Sequence, residues 1–62
     1  LVNLNLATPA ELETLPDVGP VTAAAIVAWR DEHGGFTSVE QLLEVVGIGE
    51  VTLASIAPHV TV

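Results

Sequence analysis

DVGPVTAAAI, from Asp17 to Ile26, returns thirty positions later as GIGEVTLASI, from Gly47 to Ile56. Each copy is a glycine turn closed by a small hydrophobe, Val18 or Ile48, and running straight into a helix. The first turn of any helix leaves backbone N–H groups unpaired, and together they form a positive end that attracts anions. Two such turns in one short chain predict a pair of phosphate grips, spaced for the two strands of a duplex. The plain alternative is that both are only connectors between packed helices.

Each copy lies inside a longer helix-turn-helix unit. Thr8-Pro9-Ala10-Glu11 combines a capping box with proline at the first helical position, a strong start signal. It predicts a first helix over Pro9–Leu15, with Leu12 and Leu15 facing inward and Pro16 stopping it. A second helix is expected over Pro20–His33, with Ala23, Ile26, Val27 and the stem of Arg30 on one face. Gly34-Gly35 ends it. Ser38-Val39-Glu40-Gln41 repeats the box and opens a third helix to about Val45, with Val39, Leu42, Leu43 and Val46 inward. A fourth spans about Glu50–Ala57, carrying Leu53 and Ile56 on its inner stripe and closed by Pro58.

Leu1–Leu6 alternates apolar and polar but has no evident strand partner, so it reads as an extended lead-in whose leucines lie on the helices. The tail from His59 is expected to pack back across the body. Thr8 matches Ser38, Glu11 matches Gln41, Leu12 matches Leu42 and Gly19 matches Gly49. The expectation is one all-α domain over residues 1–62, of four to five short helices in two halves related by a pseudo-twofold. Hairpin one falls at about 15–20 and hairpin two at about 46–50.

Composition narrows the chemistry. The chain has 62 residues, no cysteine, and Phe36 and Trp29 as its only aromatics, so its core must be built from aliphatic residues without disulfide or thiolate–metal staples. No stretch approaches the roughly 20 apolar residues of a membrane span. A start at Leu1 instead of Met points to a piece of a longer protein that carried any leader or anchor. The net charge is −7, with Arg30 the single Lys or Arg. Domains that bind nucleic acid are mostly basic, because counterion release supplies much of their affinity; here the acids also serve solubility.

No catalytic or metal-binding set emerges. Glu11 with Glu13, and Asp31 with Glu32, read as solvated helix faces. His33 and His59 have no third ligand at metal spacing. His59 is expected to pack its ring edge at the C-terminal seam. Trp29 is one aromatic and not a stacking platform, so partial burial or a partner contact is expected. Arg30 is expected to pair with acids on the Glu32 side or to cap carbonyls at the end of its helix or in the neighbouring turn. No cofactor motif is present.

These residues resemble the tandem helix-hairpin-helix domain of the ComEA competence DNA receptor family along nearly the whole chain. The likeness runs through VNLN at Val2–Asn5, A-T-x-x-E-L at Ala7–Leu12 and L-P-x-V-G-P at Leu15–Pro20. It continues in I-x-x-W-R-x-E-x-G-x-F at Ile26–Phe36, S-V-E-x-L-L-x-V-x-G-I-G-E at Ser38–Glu50 and P-x-V-T-V at Pro58–Val62. The resemblance implies sequence-independent binding of double-stranded DNA through hairpin backbone amides, in DNA capture for natural transformation, by a receptor tethered outside the cytoplasm through an anchor beyond this fragment.

By position, the DNA-binding residues it implies are Val18, Gly19, Val21 and Thr22, then Gly47, Ile48, Gly49, Val51 and Thr52. Such contacts position a protein on DNA and read no bases. The family's lysines are replaced here by Val21, Thr22, Val51, Ser55 and Ala57, Asp17 stands where a hairpin glycine belongs, and Pro20 removes an N–H donor. Hairpin two is therefore expected to be the better grip. A glycosylase-type enzyme of the same fold would need a lysine nucleophile or an aspartate in a separate catalytic domain; this chain has no lysine at all. The same fold also resembles an extrinsic photosystem subunit that works without DNA, so the alternative is a protein-interaction or self-association module.

Overall fold

Threonine, proline and glutamate start the first helix as their chemistry requires. In the computed structural model, which describes all residues from Leu1 to Val62, Thr8 Oγ1 accepts from the Glu11 N–H at 3.2 Å, and the Glu11 carboxylate accepts from the Thr8 N–H at 3.0 Å. Helix α1 covers Pro9–Leu12, shorter than the expected Pro9–Leu15. Past Leu12 the bonds tighten to a three-residue reach, Thr14 N–H to Glu11 O and Leu15 N–H to Leu12 O, both 3.1 Å, so the chain turns without continuing the α-helix.

Helix α2 covers Pro20–His33 as expected, from Gly19 at its N-cap to Gly34 at its C-cap. Gly34 has φ 72°, the left-handed setting that ends a helix at low cost for glycine.

Residues Val39–Glu44 form a 3-10 helix instead of an α-helix, and this corrects the inward face assigned from the sequence. A 3-10 helix repeats every three residues, so Val39, Leu42 and Val45 line up toward the core. Leu42 is fully buried and Val45 nearly so, whereas Leu43 is 42% exposed and Val46 87% exposed. Helix α3 follows over Glu50–Ile56, and Ala57–His59 add a 3-10 turn that contains Pro58.

A second correction concerns the ends of the chain. The lead-in does have a strand partner: β1 (Val2–Asn3) pairs in parallel with β2 (Val60–Thr61), Val2 opposite Val60. The fold is thus mostly helical with one two-residue ladder, not wholly helical. Only Leu4 of the lead-in leucines enters the core, while Leu1 and Leu6 are 87% and 79% exposed.

Three clasps hold the lead-in. Leu4 N–H donates to Thr61 O at 2.8 Å, and Arg30 Nη1 donates to Leu4 O at 3.0 Å and to Ala7 O at 2.8 Å. Asn5 bonds both backbone groups of Phe36, donating to its carbonyl at 2.9 Å and accepting its N–H at 2.6 Å. Arg30 therefore caps carbonyls of the lead-in, not those at the end of its own helix, and its contact with Asp31 is long at 3.9 Å.

Thirteen hydrophobic residues form a single core. Leu12, Leu15, Val18 and Ile26 from the first half meet Leu42, Val45, Ile48 and Ile56 from the second, each thirty positions from its counterpart. The tail reaches the core through Val60. His59 remains exposed instead of packing at the seam; it borders a surface hollow with Leu1, Val2, Thr14 and Pro16.

Candidate nucleic-acid interface

The two glycine turns have nearly the same backbone. Val18 N–H donates to Leu15 O at 3.2 Å, and Ile48 N–H to Val45 O at 3.1 Å. Gly19 has φ −99° and ψ −170°, and Gly49 has φ −103° and ψ −174°. Each carbonyl then accepts the first helical bond, from Ala23 N–H and from Leu53 N–H, both at 2.9 Å. Buried Val18 and Ile48 pin the turns to the core, so their side chains and their N–H groups are already committed.

What remains free is a row of donors. No acceptor in the chain pairs with the N–H of Gly19, Val21 or Thr22 in the first unit, nor with those of Gly47, Gly49, Glu50, Val51 and Thr52 in the second. Neither N-cap glycine carries a side chain that could satisfy them. Pro20 lacks the donor that Glu50 retains, which makes the second row the fuller one. The Glu50 N–H lies outside the set that the resemblance implies: the acidic side chain at that position argues against an anion, while the backbone donor beside it is free.

Gly19 and Gly49 are not required by the backbone itself. Both are extended, and a Cβ built on either meets nothing within 4 Å. Gly47 differs: its φ of 95° is a setting that side-chain-bearing residues rarely adopt. Asp17 sits at the equivalent point of hairpin one with φ 63°. Fold conformation thus explains Gly47, while Gly19 and Gly49 keep open the space beside the free amides.

The side chains around the donors are neutral or acidic. Val21 and Val51, equivalent positions, are 84% and 83% exposed. Thr22 and Thr52 are half-buried, and Thr22 Oγ1 lies 3.8 Å from the point a Gly47 Cβ would take, so hairpin two abuts the first turn of α2. Asp17 and Glu50 place one carboxylate at each turn, and both are exposed. Arg30 is bound to Leu4 O and Ala7 O with its side chain only 17% exposed, so no Lys or Arg side chain is free to meet an anion.

The helix-hairpin-helix motif family matches residues 1–61. ComE operon protein 1 of Bacillus subtilis (strain 168) is 45% identical over 62 residues, covering 100% of this chain and 30% of the relative. An uncharacterized protein of Haemophilus influenzae is 49% identical over 53 residues, 84% of this chain and 47% of the relative. Endonuclease/exonuclease/phosphatase family domain-containing protein 1 of Homo sapiens is 44% identical over 55 residues, 89% of this chain and 10% of the relative. The chain spans less than half the length of each of these proteins. It belongs to the helix-hairpin-helix family, as a domain of the ComEA type.

Proposed function

We propose that this helix-hairpin-helix chain binds double-stranded DNA without sequence preference, each hairpin offering its free amides to a phosphate of one strand. The observation that carries the reading is the pair of unpaired N–H rows beside Gly19 and Gly49, glycines that the backbone itself does not demand. Backbone donors at a turn preceding a helix suit phosphate oxygens, and the lack of a Cβ lets the phosphate approach. Val18 and Ile48 act as pins. Val21, Thr22, Gly47, Val51 and Thr52 join Gly19, Gly49 and Glu50 as the contacting backbone.

In this reading residues 1–62 act as one domain whose halves are related by a pseudo-twofold, so that two equivalent grips face two antiparallel strands. The hairpins carry no chemistry of bond cleavage; the domain holds DNA and does not cut it. Its place is DNA capture for natural transformation, outside the cytoplasm, with anchoring supplied by other parts of the protein. The likeness to ComE operon protein 1 supports that assignment.

The test is a titration of the chain into a fluorescent 20-base-pair duplex at low and moderate salt, beside Gly49→Asp. Salt-sensitive binding that is lost in the variant upholds the reading. No binding at high micromolar protein in low salt rejects it and favours a second reading, in which the same face meets a protein. The exposed Val21, Val46 and Val51 are the observation behind that alternative.

A further inference from the structure

Between α2 and the segment leading into hairpin two lies an open depression of about 440 Å³, lined by Ala25, Ala28, Trp29, Glu32, Glu44 and Val46 among others. It borders hairpin two through Val46 but contains none of the free amide donors. Its aromatic side is a stack of three rings. The Trp29 ring stacks on buried Phe36, centroids 4.5 Å apart at 25°, and against exposed His33, 4.0 Å apart at 13°. His33 is fixed in turn by its Nδ1, which donates to the Trp29 carbonyl at 2.8 Å.

The charges around this hollow are one-sided. Glu32 comes from α2 and Glu44 from the 3-10 helix, both exposed, and neither pairs with a cation. The chain has no cation to give them, since Arg30 is its only Lys or Arg and is engaged with Leu4 and Ala7. Two carboxylates repel phosphate, so a DNA backbone gripped by hairpin two stays out of the depression.

We propose that the depression receives an arginine side chain from a basic segment of a partner protein. The alkyl stem of arginine suits the small apolar surface of Ala25, Ala28 and Val46. Its flat, forked guanidinium pairs with carboxylates through several donors at once, which an ammonium group does less well; with Phe36 and His33 already on the two faces of Trp29, it meets that ring at its edge. A volume near the lower end of the roughly 300–1,000 Å³ range of ligand clefts holds one long side chain with its neighbours. The site is separate from the hairpin amides and stands whether or not they bind DNA.

Trp29, the only tryptophan, reports on the site directly. The experiment titrates a blocked arginine–leucine–arginine tripeptide into the chain while following Trp29 emission and backbone amide shifts, with the glutamine–leucine–glutamine tripeptide as control. Saturable binding of the arginine peptide alone is expected, with shifts centred on Ala25, Ala28, Trp29 and Val46. Glu32→Gln and Glu44→Gln, both at exposed positions that leave the fold intact, each weaken it about three- to fivefold. The proposal is overturned by no saturation up to about 10 mM peptide, a concentration far above any specific micromolar contact. Unchanged affinity in both variants, or shifts scattered over all the acidic residues, overturns it equally.

Discussion

Asp17 and Gly47 occupy the same point in two turns thirty residues apart, and both hold a positive φ, 63° and 95°. Glycine takes that setting freely, whereas an aspartate is strained there by roughly 1 kcal/mol. Asp17→Gly is therefore expected to leave thermal stability unchanged or slightly raised. It also removes a carboxylate beside a proposed phosphate, so affinity for a DNA duplex should rise about threefold. Melting curves and duplex titrations of the variant check both parts, and a weaker-binding variant contradicts the assignment of hairpin one as a grip.

Gly49 separates fold from binding. Its extended φ of −103° and the open space around it mean that Gly49→Ala should fold with a stability loss of no more than about 1 kcal/mol. The added methyl group stands where a phosphate would approach the amides. Duplex affinity should fall about tenfold for Gly49→Ala, and further for Gly49→Asp, which also adds charge. Equal affinity for wild type and Gly49→Ala would show that glycine is not kept for close approach.

With no Lys or Arg side chain free, few counterions are released on binding. The logarithm of the association constant should fall against the logarithm of salt concentration with a slope of about −2, compared with the steep dependence of strongly basic binders. Arg30 should not contribute. Arg30→Ala is expected to cost about 2–3 kcal/mol by freeing the Leu4 and Ala7 carbonyls, while the folded fraction keeps its affinity for DNA. A slope near −6, or an Arg30 variant that is fully stable yet DNA-blind, would oppose this account.

The two capping boxes respond differently to acid. The Thr8 backbone N–H, and then its hydroxyl, hold the exposed Glu11 carboxyl below its ordinary 4.5. A carboxyl lowered in the folded chain adds stability that is complete above its unfolded value. That contribution fades as pH falls from about 4.5 through the lower folded value. In the second box Gln41 Oε1 accepts from Thr37 N–H at 2.7 Å and Ser38 N–H at 3.3 Å, and has no charge to lose. Glu11→Gln should accordingly flatten part of the acid-induced drop in melting temperature, whereas Gln41→Ala should lower stability by a similar amount at every pH.

The repeat was legible in the sequence because its physics is local. Capping residues, proline at N1 and glycine turns announce themselves within a few positions, and α2 runs over Pro20–His33 as those signals predict. The inward set at Leu12, Leu15, Val18 and Leu42, Val45, Ile48 is spaced by threes throughout. An α-helical period applied to the second unit therefore misplaced Leu43 and Val46. The ladder between Val2–Asn3 and Val60–Thr61 left no pattern, since two residues are too few for alternation and their partner lies at the other end of the chain. The position of Arg30 near acids suggests an ion pair or a cap on its own helix end, and only tertiary structure reveals the lead-in carbonyls that claim it. The donors at the hairpins could be expected from the glycines, but which amides the turns themselves use, those of Val18 and Ile48, is a property of the folded backbone.

In the proposed complex backbone amides, not side-chain cations, hold the ligand, and amide shift mapping with a short duplex at low salt decides between the two. Perturbations are expected at Gly47, Gly49, Glu50, Val51 and Thr52, weaker ones at Gly19, Val21 and Thr22, with quiet signals around Trp29 and Glu44. Shifts confined to the Trp29 depression, or none at saturating duplex, would contradict the proposed complex.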